Sequence, residues 1–168
     1  TMPIGGRRLY PIMVAEKQSC HLRATVRGAG GHGSLPHTGG APARLSRLLD
    51  ALQRSRLPLH VTPPARMMVT AIAAALGGWR GMALRQLLRP RMTNVLLNRL
   101  GPAARILDAC LHHTANATVI RAGDAPNVIP SEITVTLDCR VLPGYTANDV
   151  RREVAALAGS DVTLDVLD

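Results

Sequence analysis

The run from Ser131 to Leu142 constrains this chain most, because every second residue in it is apolar. Ile133, Val135, Leu137, Cys139 and Val141 fall on one side, and Glu132, Thr134, Thr136, Asp138 and Arg140 on the other. A period of two is a β-strand with one dry and one wet face. A sheet holding such a strand is covered on one face only, which favours antiparallel pairing. Three other segments follow the pattern. Ser19 to Arg27 sets Leu22, Ala24 and Val26 against His21, Arg23, Thr25 and Arg27. Thr114 to Ala122 is a third strand, and Val162, Leu164 and Val166 mark a short fourth.

Two segments read as amphipathic helices. Leu45, Leu48, Leu49 and Leu52 recur at helical spacing between Ala41 and Arg56, with Arg44, Arg47 and Arg54 off the stripe, and Pro58 closes the helix. A second helix starts at Thr146, a capping residue with Asp149 three positions on. Val150, Val154 and Leu157 make its apolar stripe, and Gly159 suits its C-terminal turn. Residues 62–113 show no alternation. Pro63-Pro64, Gly77-Gly78, Pro90 and Gly101-Pro102 divide them into three or four short helices, an insert within a single domain over 1–168. Without the insert the order is strand, helix, strand, strand, helix, strand. The expected fold is an α+β two-layer sandwich, ferredoxin-like, with two helices on one face of a four-stranded, mostly antiparallel sheet. The strand from Ser19 to Arg27 follows directly on the opening segment and is expected at the sheet edge, where it invites pairing with a second chain.

Apolar residues make up 46% of the 168, enough for a sizeable core, but aromatics are 2% and Phe is absent. The core must therefore be Leu, Val, Ile, Ala and Met. The longest uncharged apolar stretch, Met67 to Trp79, is shorter than the about 20 residues a membrane span needs. Cys20, Cys110 and Cys139 are odd in number and far apart, which reads as buried free thiols in a reducing compartment and points to the cytoplasm. Thr1-Met2-Pro3 starts no signal peptide, and a Thr ahead of the first Met suggests a segment of a longer chain.

Gly28 to Gly33 matches GxGxxG, a dinucleotide fingerprint when a strand precedes it and a helix opens at it. Here the preceding strand alternates instead of being apolar throughout, and Ser34-Leu35-Pro36 prevents a helix from starting at the third glycine. His32 and His37 in the same loop, and His112-His113, lack the further ligands a zinc site needs. Glycines surround His32, so the backbone there can approach a ligand closely. The net charge is +9, and all but Lys17 of the 20 basic residues are arginine. They form no single stripe, and two Tyr and one Trp leave little for base stacking, so no nucleic-acid partner is expected. The Leu/Met-rich insert fits a packed layer or a protein interface better than a membrane surface.

Two segments together carry a family resemblance: Arg27-Gly28-Ala29-Gly30-Gly31-His32-Gly33-Ser34-Leu35-Pro36-His37, and Gly123-Asp124-Ala125-Pro126-Asn127-Val128-Ile129-Pro130 continuing through Leu137-Asp138-Cys139-Arg140 to Pro143-Gly144. With Tyr10-Pro11 and Glu16-Lys17 at the start, the chain resembles the lid, or dimerisation, domain of the di-zinc aminoacylase, carboxypeptidase and succinyl-diaminopimelate desuccinylase superfamily. The insert is similar to that of the long Gly-X carboxypeptidase-like members. The resemblance implies a domain spliced into a zinc-dependent peptidase or amidohydrolase that cleaves an amide next to a free carboxylate, in an N-acyl amino acid or a peptide C-terminus. It implies two zinc ions held by the missing catalytic domain and none by this chain, which alone should be inactive. It implies the parent's catalytic domain and a second copy of the chain as partners. It assigns His32 to oxyanion stabilisation, in dimeric members at the partner's site, and Asn127 and Arg140 to the substrate's carboxylate or amide oxygen. On residues alone, Arg140 reads first as a cross-strand partner for a neighbouring acid on the wet sheet face, and the alternative for the chain is a stand-alone basic binding module for nucleic acid or a protein partner.

Overall fold

A computed structural model describes residues 2–4, 7–10 and 12–167; Thr1 and Pro11 of the opening segment lie outside them. In chain order the elements are β1 (Met2–Ile4), β2 (Arg7–Leu9), β3 (Gln18–Arg27), β4 (Gly31–His32), α1 (Gly40–Arg54), α2 (Pro63–Leu76), α3 (Gly78–Arg85), α4 (Pro90–Leu100), α5 (Arg105–Leu111), β5 (Thr114–Ala122), β6 (Val128–Ile129), β7 (Glu132–Val141), α6 (Ala147–Ala158) and β8 (Val162–Val166). Short 3-10 turns at Gln86–Leu88 and Gly101–Ala104 flank α4. The chain divides into two compact units. One comprises Gln18–Pro58, His113–Val141 and Tyr145–Asp168, and the other Thr1–Lys17, Leu59–His112 and Leu142–Gly144.

The first unit holds a four-stranded sheet in the order β5-β7-β3-β8, every neighbouring pair antiparallel. Its dry face presents Leu22, Ala24, Val26, Ile133, Val135, Leu137 and Val141, all buried. Leu48 of α1 and Val150 and Val154 of α6 complete the same core, so both helices cover one face. This is the expected two-layer sandwich. Each of the Leu, Val and Ile side chains among them contributes about 1.5–3 kcal/mol by leaving water.

Two expectations need correction. The strand from Ser19 to Arg27 is not an edge: β3 pairs with β7 on one side and β8 on the other. Alternation reports which faces are wet and says nothing about the number of neighbours, so the edges fall instead to β5 and β8. β5 itself occupies the predicted span but does not alternate in burial; from Asn116 onward every residue is exposed. A bulge between Ala117 and Val119 shifts its register on β7, and its far half carries no cover, leaving Ile120 49% exposed.

Cys20 and Cys139 form no disulfide and face one another across β3 and β7, 3% and 0% exposed. Burial, and then the Cys20 thiol beside it, push the Cys139 thiol up to about 12, so it is no nucleophile at neutral pH.

The start of α6 follows the sequence closely. The Asp149 carboxylate accepts from the Thr146 amide at 2.8 Å and the Thr146 hydroxyl at 2.7 Å, and also pairs with Arg152. The Thr146 hydroxyl, the Thr146 amide and Arg152 together hold the Asp149 carboxyl down to about 2, from 3.8. A carboxyl lowered by folding stabilises the fold above its unfolded pKa and loses that contribution as pH falls through the folded one. The wild type should therefore exceed Asp149→Asn in urea midpoint at pH 6, with the gap closing between pH 3.8 and about 2. A gap that persists at pH 2 contradicts the assignment.

In the second unit the helix boundaries fall where proline and glycine interrupt the sequence. Thr62 caps α2 by accepting from the Ala65 amide, with Pro63 in the first turn. Gly77 closes α2, Pro90 opens α4 and Gly101 closes it. Ala65, Val69, Leu87, Leu97 and Leu111 form this unit's core. Buried Thr93 donates its hydroxyl to the carbonyls of Leu87 and Arg89, at 2.8 and 2.9 Å. Gly81 of α3 crosses α2 so closely that a Cβ would lie 2.2 Å from the Ala73 carbonyl oxygen.

Candidate functional site

The glycine-rich loop leaves the sheet at Gly28, whose amide donates to the Ser131 carbonyl at 2.9 Å. A Cβ at Gly28 would sit 2.4 Å from the Ala41 amide nitrogen, so only glycine lets the loop pass the start of α1. The chain then forms a two-stranded ribbon, β4 against β6, with Gly31 opposite Ile129 and His32 opposite Val128. Beyond it the Gly33 amide donates to the Asn127 carbonyl at 2.8 Å. Two segments far apart in sequence thus bring His32 and Asn127 together, both exposed, at one end of the sheet.

A tight turn follows, closed by the Leu35 amide on the His32 carbonyl at 3.1 Å. The turn returns Ser34 onto the imidazole. The Ser34 hydroxyl lies 2.8 Å from His32 Nδ1, and the Ser34 amide donates to the same nitrogen at 3.3 Å. No described residue pairs with Nε2. His37 turns elsewhere, its ring within 3.3 Å of where a Gly31 Cβ would be and closer still at Gly40. Nothing in the sequence spacing singled out Ser34; its only mark is its place two residues after the histidine in a glycine-rich turn.

Arg140 lies at the other end. It is eight residues along β7 from Glu132, which at the rise of an extended strand is about 27 Å. Its guanidinium pairs with Asp138 on the same strand at 3.0 Å, both on the wet face. The second Asp138 oxygen is buried without a hydrogen-bond partner among the described residues. The ribbon therefore places His32 and Asn127 on neighbouring positions of two paired segments at one end of the sheet, with Arg140 at the other. Between these ends the open face holds a polar groove of about 550 Å³ lined by Arg23, Thr25, Arg27, Arg121 and Glu132 among others, with Arg27 held to Glu132 at 2.8 Å. None of the three candidate residues lines it.

The dinucleotide fingerprint fails on geometry, since α1 opens at Gly40 and not at the third glycine. Fold and loop ribbon together define a ferredoxin-like α+β sandwich, a class distinct from doubly wound nucleotide-binding domains. Residues 14–162 match the peptidase dimerisation domain family, and the chain belongs to it. It is 26% identical over 153 residues to carboxypeptidase S-like 2 of Dictyostelium discoideum, an alignment covering 88% of this chain and 28% of that protein. The chain thus spans under a third of the length of that curated relative. Among solved structures it is similar to the M20 family metallo-carboxypeptidase Sso-CP2 of Sulfolobus solfataricus, 13% identical with a TM-score of 0.47 over 90% of this chain and 42% of that one. It is also similar to a hydantoinase/carbamoylase family amidase of Burkholderia ambifaria, 13% identical with a TM-score of 0.48 over 91% of this chain and 28% of that one. Among the described residues no helix is long and apolar enough to cross a membrane.

Proposed function

We propose that this chain is the lid and dimerisation domain of a zinc-dependent amidohydrolase or carboxypeptidase acting on an amide next to a free carboxylate. The observation that carries this reading is the ribbon that brings the His32 and Asn127 positions to the same exposed end of the sheet. A neutral imidazole N–H there can donate to the oxyanion that develops when water attacks the amide carbonyl. Asn127 adds a neutral donor for the amide oxygen, and Arg140 offers a fork that fits a carboxylate. His32 and Arg140 stand at opposite ends of the sheet, too far apart for one small substrate. In a homodimer they serve different sites, His32 and Asn127 reaching the partner's substrate while Arg140 serves its own.

The two zinc ions belong to the rest of the enzyme, where they supply the activated water. Residues 62–113 form an insert of the long-member type within this domain, and the chain alone is inactive.

The dimer seam is assigned to β5. It is the longer edge, nine residues without proline and with Arg121 as its only charge, and it exposes Val119 and Ile120. Light scattering across a dilution series should find a dimer. Ile120→Lys, which sets like charges across a two-fold strand pair, should shift it to monomer with the circular dichroism unchanged. A wild-type monomer at every concentration rules out this seam.

A further inference from the structure

His32 can act as an oxyanion donor only if the proton sits on the nitrogen that faces the substrate. A neutral imidazole has one N–H and one lone pair, and its surroundings choose between them. The 2.8 Å contact between Nδ1 and the Ser34 hydroxyl leaves the choice open, since a hydroxyl both donates and accepts. The Ser34 amide breaks the tie, because an N–H only donates, but at 3.3 Å its contact is long, and the 2.8 Å hydroxyl bond it orients supplies most of the preference. Nδ1 must present its lone pair, the hydroxyl must then donate to it as well, and the proton is left on Nε2. The backbone enforces the arrangement from two sides. The turn closed by Leu35 on the His32 carbonyl sets Ser34 beside the ring, and the Gly33 amide pins the turn to the Asn127 carbonyl.

We propose that Ser34 is the positioning residue of His32: its amide and hydroxyl fix the imidazole as the Nε2–H tautomer and hold the ring across the mouth of the turn. The proposal deepens the reading of His32 as an oxyanion donor and rests on it for its effect on rate, although the tautomer is observable without catalysis. Ser34 touches no substrate in this scheme; it acts through the imidazole, as the groups that orient metal-bound histidines act through their ligands.

The test has two arms. In the chain labelled with nitrogen-15 at histidine, two-bond correlations of the neutral His32 ring should show a protonated Nε2 and a bare Nδ1. Ser34→Ala should move the Nδ1 shift toward a mixture of tautomers, and Ser34→Thr should restore it. A wild-type His32 protonated on Nδ1, or a tautomer indifferent to Ser34→Ala, overturns the proposal. In the full-length enzyme Ser34→Ala should lower kcat by about 3- to 10-fold with KM unchanged, the usual worth of one hydrogen bond. The same substitution in a His32→Ala background should cost nothing further. An equal loss in both backgrounds shows that Ser34 merely supports the loop, which overturns the positioning role. If His32→Ala leaves kcat intact, the oxyanion reading has failed instead, and the nuclear magnetic resonance arm still decides what Ser34 does to the ring.

Discussion

Replacing His32 by alanine in the full-length enzyme is expected to lower kcat by about 10²- to 10³-fold while KM changes little, the usual effect of removing one oxyanion donor. The asymmetry follows from where the charge is. The substrate's amide oxygen is neutral in the ground state and gains negative charge as water adds, so a donor aimed at it acts mainly in the transition state. Folding is not at stake, because His32 is exposed and the ribbon pairs through backbone groups. Thermal unfolding of the variant should match the wild type. Subunit mixing adds a sharper reading. A His32→Ala subunit keeps its own catalytic base but lends no imidazole to its partner. A subunit disabled in its catalytic base still lends one. Their heterodimer contains one site with both, so activity should return on mixing. If subunits exchange and no activity returns, His32 does not serve a partner's site.

The sequence makes this fold legible where side-chain pattern and backbone requirement coincide. β7 follows from alternation because one face packs against α1 and α6 while the other stays wet. α6 follows from its termini, since the Asp149 carboxylate satisfies an amide that the helix leaves orphaned. The central position of β3 is not legible. Its side chains alternate whether it has one neighbour or two, and the second neighbour, β8, is the last strand in the chain. β5 misleads for a different reason: beyond Ala115 both of its faces are exposed, so its sequence period has no counterpart in its burial. The ribbon that carries His32 is harder still. β4 and β6 are two residues each, too short for any period, and their pairing is a long-range event that only the fold reveals. His32, Asn127 and Arg140 could be assigned from a resemblance of motifs, but their division between the two ends of the sheet could not. That division follows from the strand on which Arg140 sits and its eight-residue separation from the ribbon end.

Arg140→Ala is expected to raise KM by roughly 10- to 100-fold, the worth of a hydrogen bond to a charged group, with a smaller fall in kcat from misplacement of the amide. A carboxylate is charged before and during reaction, so a fork that holds it binds ground and transition states alike. The competing account is structural, with Arg140 serving only as the partner of Asp138. The two accounts separate cleanly. Both side chains of that pair are partly exposed, 48% and 30%, and such pairs contribute at most about 1 kcal/mol to stability. A structural role therefore predicts a small drop in thermal stability and no change in KM. Arg140→Lys should recover only part of the lost affinity, since an ammonium cannot make two parallel hydrogen bonds to one carboxylate. The substrate supplies the final control. Capping its carboxylate as a carboxamide removes the charge that Arg140 recognises, so the wild type should handle the capped compound as poorly as Arg140→Ala handles the acid. Arg140→Ala should then make little further difference to that compound. If the variant loses affinity for the carboxamide as severely as for the acid, Arg140 does not read the carboxylate.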